Sequence, residues 1–453
     1  MTVIVDRTEV VDRGFADYFC CPDAFAGFRI DEAVNPEARE GFFNFGPDLI
    51  CYGTAAVETA EEPGGPLPDL LAAVQLPDQC CILPFRPTSV ADSMRRERYV
   101  QLQRTPAAKR LIRQLYYFLR PMLPVKVRRS LQARWLSGWQ ARLFPRWPVD
   151  TSVDRLFKQL MQLKLQTSRE PYIPFIWFWP DGKQACAVMT HDVETAAGLE
   201  FTEELMNIND RHGIKSSFQL IPAARYNVTE SVVQKIRNRG FDVNVHDLKH
   251  DGHLFDQADQ FRRDAEQINA HGIRFGSRGF RSGALYRNQD WYDALQFRYD
   301  MSVPNCAHLD PQHGGCCTVM PYFIGDLLEL PVTATQDYSL FHVLKTYDQS
   351  LWREQIARIA AVHGLMNFIV HPDYLDHPDA VRAYTSLLDH LTDLRINQGL
   401  WIARPDHVDQ WWRARHAMRL EETAGGWTVH GDGSERARIA YASLENNQLV
   451  WRF

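Results

Sequence analysis

The chain has 453 residues, of which 45% are hydrophobic and 23% charged, with a formal net charge of −6. That length exceeds one ordinary hydrophobic core and predicts two or three domains of globular composition. No apolar window is long enough to cross a bilayer, and Met1 to Arg13 carries acids and no apolar run, so neither a membrane span nor a signal peptide is expected and the expected location is the cytoplasm.

Residues 1–90 are rich in Gly, Pro, Phe and Cys and read as short strands and loops, for example around Phe42 to Gly46 and Cys80 to Pro84. They carry no chemical motif, and a covering or substrate-shaping role is the furthest reading. The nine cysteines fall as three adjacent pairs (Cys20-Cys21, Cys80-Cys81, Cys316-Cys317) and three singles. They form no CxxC knuckle and no disulfide framework, and are expected to be small buried residues in a reducing compartment.

Residues 91–170 read as a basic helical region, with helices expected over Ala107 to Arg120 and Val127 to Leu143, the second carrying Trp135 and Trp139. From Ser93 to Pro148 there are 14 Lys and Arg against one acid, Glu97, a local charge of +13 that leaves −19 on the rest of the chain. A basic helix with interfacial tryptophans suits an anionic membrane or lipid carrier, while a solvated face packed on a neighbouring domain is the plainer reading. Without a zinc finger or an RNA-recognition signature beside it, nucleic acid is not expected as a partner.

From residue 171 to about 413 strands alternate with helices. Strands are expected near Phe175 to Trp179, Gln184 to Met189, Ser216 to Leu220, Phe241 to Val245, Gly279 to Ser282, Phe297 to Tyr299, Leu327 to Leu330, Asn367 to Val370 and Leu400 to Ile402. Helices are expected near Leu199 to Arg211, Thr229 to Arg239, Asp256 to Ala270 (ended by Gly272), Gln289 to Leu295, Leu351 to His363 and Asp379 to Asn397. Repeated βα units of this kind predict an α/β fold with a parallel sheet, open or closed into a barrel, and in such folds chemistry gathers at the carboxyl ends of strands. Residues 414–453 read as a small β appendage, with turns at Gly431 to Gly433 and at Asn446-Asn447.

Two strand ends carry the candidate chemistry. Phe241 to Val245 runs into His246 and His250, four residues apart; one helical turn would bring both imidazoles to one ion. The strand ending in Thr190-His191-Asp192-Val193-Glu194 offers the carboxylate that such a site needs, and Asp192 and Glu194, two apart in a strand, share a face.

These segments resemble the polysaccharide deacetylase superfamily (NodB-like, carbohydrate esterase family 4) over about residues 180 to 410. Five partial matches occur in the family's order: Thr190-His191-Asp192-Val193-Glu194, His246-Asp247-Leu248-Lys249-His250, Gly279-Phe280-Arg281-Ser282-Gly283, Tyr299-Asp300-Met301-Ser302 and Phe368-Ile369-Val370-His371-Pro372. The first departs from the family's adjacent aspartates and is more similar to the Asp-Val-Asp branch. The resemblance implies a NodB-like distorted (β/α) barrel over 171–413 that hydrolyses an N-acyl amide, acetyl or formyl, of an amino sugar in a nucleotide-linked, lipid-linked or polysaccharide precursor. It implies a divalent cation, zinc before cobalt or nickel, held by Glu194, His246 and His250. Asp192 would be the base, His371 the acid toward the leaving amine, Arg281 the partner of Asp192 and Asp300 the residue that orients His371, with His191 and Asp247 just outside the ligands.

Alternatives remain: a metal-dependent hydrolase of another bond on the same barrel, or an inactive carbohydrate-binding scaffold. His253, His308 and His313 lack a strand end and a partner carboxylate and are expected to be structural. Tyr286, Trp291 and Tyr338 could stack on a sugar or pack in the core.

Overall fold

The computed structural model describes residues 12–101, Arg134 and 136–453, apart from Ala26, Pro36, Ala38, Asp78 and Gln79. The expected helix Ala107 to Arg120, and most of the one expected over Val127 to Leu143, lie outside the described residues. The described end of the latter is a short 3-10 turn, Trp139–Ala141, after which Arg142 is extended, so no helix continues to Leu143. Trp139 packs edge-on against Trp147, with ring centroids 4.9 Å apart. Among the described residues no helix is long and apolar enough to cross a membrane.

Two compact units make up the chain: Met1–Leu102, Thr151–Gly182 and Arg413–Phe453 form one, and Gln103–Asp150 with Lys183–Trp412 form the other. This division cuts across the four consecutive segments (1–90, 91–170, 171–413, 414–453) expected from the sequence. In the first unit the strand Tyr172–Ile176 pairs antiparallel with Ile439–Glu445, which pairs in turn with Gln448–Arg452. The aromatic run Phe175 to Trp179, expected as a barrel strand, therefore begins in a strand that belongs with the C-terminal hairpin. Arg415, fully buried, donates to the carbonyls of Phe19, Ile176 and Trp177. Five fixed donors on one planar group satisfy several backbone acceptors that the sheet leaves open.

The second unit holds the α/β sheet. Its strands are β1 (Ala185–Val193), β2 (Ser217–Leu220), β3 (Asp242–His246), β4 (Gly279–Arg281), β5 (Tyr299–Asp300), β6 (Tyr322–Ile324), β7 (Leu327–Glu329), β8 (Leu365–Ile369) and β9 (Leu400–Ile402). The hydrogen-bonded order is β6-β7-β5-β4-β3-β2-β1-β8, with β9 pairing the first part of β1; every pair is parallel except β6 with β7. All nine residues of β1 are buried, as expected of a parallel strand covered on both faces. The helices α1 (Ala196–Arg211), α2 (Glu230–Asn238), α3 (Ala258–Phe275), α4 (Ser350–Ala360) and α5 (Pro378–Asn397) lie between strands in the chain. Met189 and Val193 of β1, Phe218 of β2, Val243 and Val245 of β3 join Leu205 of α1, Ile268 of α3 and Leu387 of α5 in one core.

Thr195 and Thr229 cap α1 and α2 by accepting from Gly198 N and Val232 N, so short polar residues set where these helices begin. The expected limits of α3 are wrong at both ends. It begins after Gln257 and runs through Gly272 to Gly276, which takes the left-handed conformation at φ +61°. Gly272 is needed for packing instead: a Cβ there would lie 2.8 Å from the Phe297 ring.

The sheet closes through a seam. Beyond β7 the chain stays extended to Ala334, where Ala334 N donates to Asn367 O at 3.2 Å. Side chains supply neighbouring links: Thr333 Oγ1 donates to Leu365 O at 2.7 Å and accepts Asn367 N at 2.8 Å, and Asn367 Nδ2 donates to Leu330 O at 2.9 Å. This is the distorted α/β barrel expected from the sequence, and the distortion lies where hydroxyl and amide groups take the place of a regular ladder.

Candidate metal and catalytic centre

Register places the site. Ile369 pairs with Thr190, Asp192 with Gln219 and His246 with Arg281, so the carboxyl ends of β1, β3, β4 and β8 come out on one end of the barrel. Asp192, Glu194, His246, His250, Arg281 and His371 all gather there.

His246 and His250 converge, but not on a helical turn. β3 stops at His246, and the next residues form a loop in which Asp247 and His250 take left-handed conformations, φ +57° and +54°. The Asp247 carboxylate holds that loop by accepting Leu248 N at 2.6 Å and Gly283 N at 2.9 Å. Left-handed backbone is costly for residues with a side chain, and it persists here because those bonds and the burial of both imidazoles over-determine it. The two imidazole centroids are 4.8 Å apart. His246 Nδ1 faces the carbonyl of Arg281 at 3.2 Å, so it carries the proton and Nε2 presents its lone pair to the site.

Glu194 Oε1 lies 3.1 Å from His250 Nε2 and 3.8 Å from His371 Nε2, and its Oε2 accepts the Tyr374 hydroxyl at 3.3 Å. One ligating atom from each of Glu194, His246 and His250 fits within 4.8 Å of the others, so the three could hold a metal ion. The donor set, two imidazoles and a carboxylate, is that of open catalytic zinc sites. Among the described residues the buried His246 Nε2 has no hydrogen-bond partner, which a cation would supply.

Flanking these are two polar pairs. Arg281, fully buried, places Nη1 3.3 Å from each oxygen of Asp192 and donates from Nη2 to Thr190 Oγ1 at 3.0 Å; that hydroxyl donates on to Phe368 O at 2.6 Å. His371 Nδ1 lies 2.6 Å from Asp337 Oδ1, while His371 N donates to Asp337 Oδ2 at 2.7 Å. Burial raises the Asp192 carboxyl, but Arg281, then His246 and His371, outweigh it and hold Asp192 below the usual range. Burial likewise opposes, and His250 overcomes, the shift that leaves Glu194 well below it. Burial pushes His246 down to about 4, against the pull of Asp192. In the buried His371–Asp337 pair the charged imidazolium is favoured. Burial works against it, but Asp337 and then Glu194 raise His371 to about 10.

Two expected roles change. Asp300 does not orient His371: its oxygens accept Ser302 N at 3.0 Å and Ser302 Oγ at 2.7 Å, while Asp337 holds the imidazole. His191 does not face the ligands. Strand alternation turns it to the other side of β1, where Nδ1 donates to Val370 O at 2.8 Å and Nε2 meets Asn209 Nδ2 at 3.0 Å. Of the two readings open for Trp291 the core one holds: it packs against Phe255 and Phe261. His308 faces the carbonyls of Trp139 and Pro145, and His253 faces Asp256, both away from the ligands. Tyr286 is buried, whereas Tyr338 is half-buried with its ring 5.5 Å from that of Tyr374.

Asp337, Asp373 and Tyr374 were not picked out from the sequence. No local signal marks Asp337: it stands where a helical turn begins, three residues beyond Ala334, and only the fold brings it beside His371.

No family model and no curated protein matches the sequence. Among solved structures, a Mycobacterium smegmatis protein described as a polysaccharide deacetylase aligns over 55% of this chain and 96% of its own, at 18% identity and a TM-score of 0.42. Puue allantoinase aligns over 55% and 95%, at 11% identity and a TM-score of 0.42. A Pseudomonas aeruginosa PAO1 protein described as a polysaccharide deacetylase aligns over 52% and 93%, at 10% identity and a TM-score of 0.40. The chain is thus similar to proteins described as polysaccharide deacetylases over about half its length.

Proposed function

We propose that the protein is a divalent-metal-dependent amide hydrolase that removes an acetyl or formyl group from an amino sugar. The observation that carries this reading is the convergence of Glu194, His246 and His250, flanked on one side by Asp192–Arg281 and on the other by His371–Asp337. The order of the five motif-like segments along the chain supports the same chemistry.

When bound by Glu194, His246 and His250, a divalent cation would polarise the acyl oxygen and lower the pKa of the attacking water. Asp192, kept ionised by Arg281, takes a proton from that water as its oxygen bonds to the acyl carbon. His371 donates its Nε2 proton to the amide nitrogen as the C–N bond breaks, leaving the free amine and the carboxylic acid. Asp337 fixes the tautomer and ring plane of His371 and favours the imidazolium that must donate. Tyr374 holds Glu194 Oε2 and so narrows the directions open to that carboxylate.

The substrate we assign is an acylated amino sugar in a nucleotide-linked, lipid-linked or polysaccharide precursor. The charge of +13 over 93–148 suits an anionic lipid carrier or membrane surface. A flotation assay with anionic vesicles that leaves the protein in solution would count against that contact. For the site itself, elemental analysis of protein purified without a histidine tag is expected to find about one equivalent of zinc, cobalt or nickel, lost in His246→Ala. The loaded protein should release acetate or formate from N-acyl amino sugars. An apoprotein that also refuses added metal overturns the reading.

A further inference from the structure

The turn that follows His371 grips the strand end that carries Glu194 through a residue with no role so far. Asp373 lies in the short 3-10 turn Pro372–Tyr374. Its Oδ2 accepts the backbone N–H of Glu194 at 2.9 Å, and its Oδ1 accepts the hydroxyl proton of Thr195. Thr195 is also the N-cap of α1, accepting Gly198 N at 3.1 Å. At Gly198 a Cβ would stand 2.3 Å from Asp373 Oδ2, so the carboxylate fills the space that any other residue's side chain would take. One residue on, Tyr374 donates to Glu194 Oε2 at 3.3 Å and sets its ring 4.7 Å from that of His371. Main chain and side chain of Glu194 are therefore both held from one short turn that begins at His371.

We propose that Asp373 is a positioning residue for the metal centre: it fixes the backbone of Glu194 so that the carboxylate points at His246 and His250, and ties that placement to His371. The inference rests on the reading of Glu194, His246 and His250 as ligands. Glu194 stands one residue past the end of β1, where no sheet bond fixes its backbone, and Asp373 supplies the missing acceptor. Without it the Glu194 backbone and rotamer would be free, and ordering them would be charged to each metal-binding event. The same clasp sets the spacing of base, ligand and acid, since Asp192, Glu194 and His371 all stand within two residues of its bonds.

The test is a Co2+ titration of the full-length, metal-free protein, followed by visible absorption and calorimetry, for wild type, Asp373→Ala and Gly198→Ala. Loss of outer partners to ligands typically costs 10–100-fold in metal affinity, so Asp373→Ala is expected to bind Co2+ about tenfold more weakly or worse. Gly198→Ala should weaken binding in the same direction by pushing the carboxylate aside. Alanine is otherwise the better helix residue, so a purely local effect would raise the melting temperature and leave Co2+ binding alone. Unchanged Co2+ affinity in both variants, whatever their melting temperatures, overturns the role of Asp373 while leaving the metal centre standing. Failure of the wild type to take up Co2+ removes the metal reading itself. If Asp373→Ala does not fold, Gly198→Ala and Asp373→Asn decide the question.

Discussion

The barrel has a regular side and a seam, and the candidate site draws residues from both. From β1 to β5 neighbouring strands are joined by parallel backbone ladders, and that side supplies Asp192, His246 and Arg281, with Glu194 and His250 just beyond. At the seam, between the extension of β7 and β8, Thr333 and Asn367 side chains carry much of the joining. Asp337 follows that extension, and His371 follows β8. On the regular side a residue's place can be predicted from strand periodicity and register. Across the seam it depends on two segments about thirty residues apart that carry no shared local pattern.

The largest expected effects test whether both sides are needed for one reaction. Asp192→Asn, on the regular side, and Asp337→Asn, on the seam, should each lower kcat by roughly 10²–10⁴ while Co2+ uptake persists, because each disables proton transfer and neither removes a ligand. Full activity in Asp337→Asn would return the search for the partner of His371 to its start, and Asp300→Asn, whose carboxyl meets Ser302 and Glu329 rather than His371, is the comparison to run beside it.

Next comes the seam itself. Thr333→Val keeps the shape but strips the hydroxyl that serves Leu365 O and Asn367 N, leaving two buried backbone groups without that partner. A loss of about 1–3 kcal/mol in unfolding free energy by denaturant titration is expected. A loss near zero would mean that the ladder repairs itself and the seam is not a weak line.

The smallest effect concerns the carboxyl ends of β5 and β7. Glu329 is buried, accepts Val303 N at 3.0 Å and shares a hydrogen bond with the Asp300 carboxyl; burial, then Asp300, raises its pKa well above the ordinary value of 4.5. A raised carboxyl pKa favours the fold while the group stays protonated, and that contribution is lost as pH rises toward the raised value. Glu329→Gln keeps both hydrogen bonds without the ionisation. It should therefore gain stability over wild type progressively as pH rises above 4.5, and none below that pH. A constant difference across pH would show that the carboxyl does not titrate in this way.

The order of strands from β1 to β9 was legible, except for the short β6, which no expected strand covers, because apolar runs and glycine stops are local signals. The candidate ligands Glu194, His246 and His250, with Asp192 beside them, were legible because each stands at or just beyond a strand end. The limits of α3 were not: Asp256 and Gly272 have the composition of a start and a stop, but Gly272 answers to the Phe297 ring packed against it. Nor was the partner of the Phe175 to Trp179 run, which reads as one more barrel strand until pairing of 172–176 with residues 439–443 assigns it to the other unit.

By itself the sequence determined which residues could bind a cation and that they would meet at the carboxyl ends of parallel strands; the roles of base and acid on the first and a late strand were implied only by the resemblance to a known family. Spacing and alternation act within a few residues, so they suffice for the first two statements. The tertiary structure alone decided that Asp337 rather than Asp300 holds His371, that His191 turns away, that His246 and His250 meet through left-handed loop residues rather than a helical turn, and that Asp373 grips Glu194. Each of these depends on contacts between segments far apart in the chain, where hydrogen-bond geometry and excluded volume choose the partner and composition is silent.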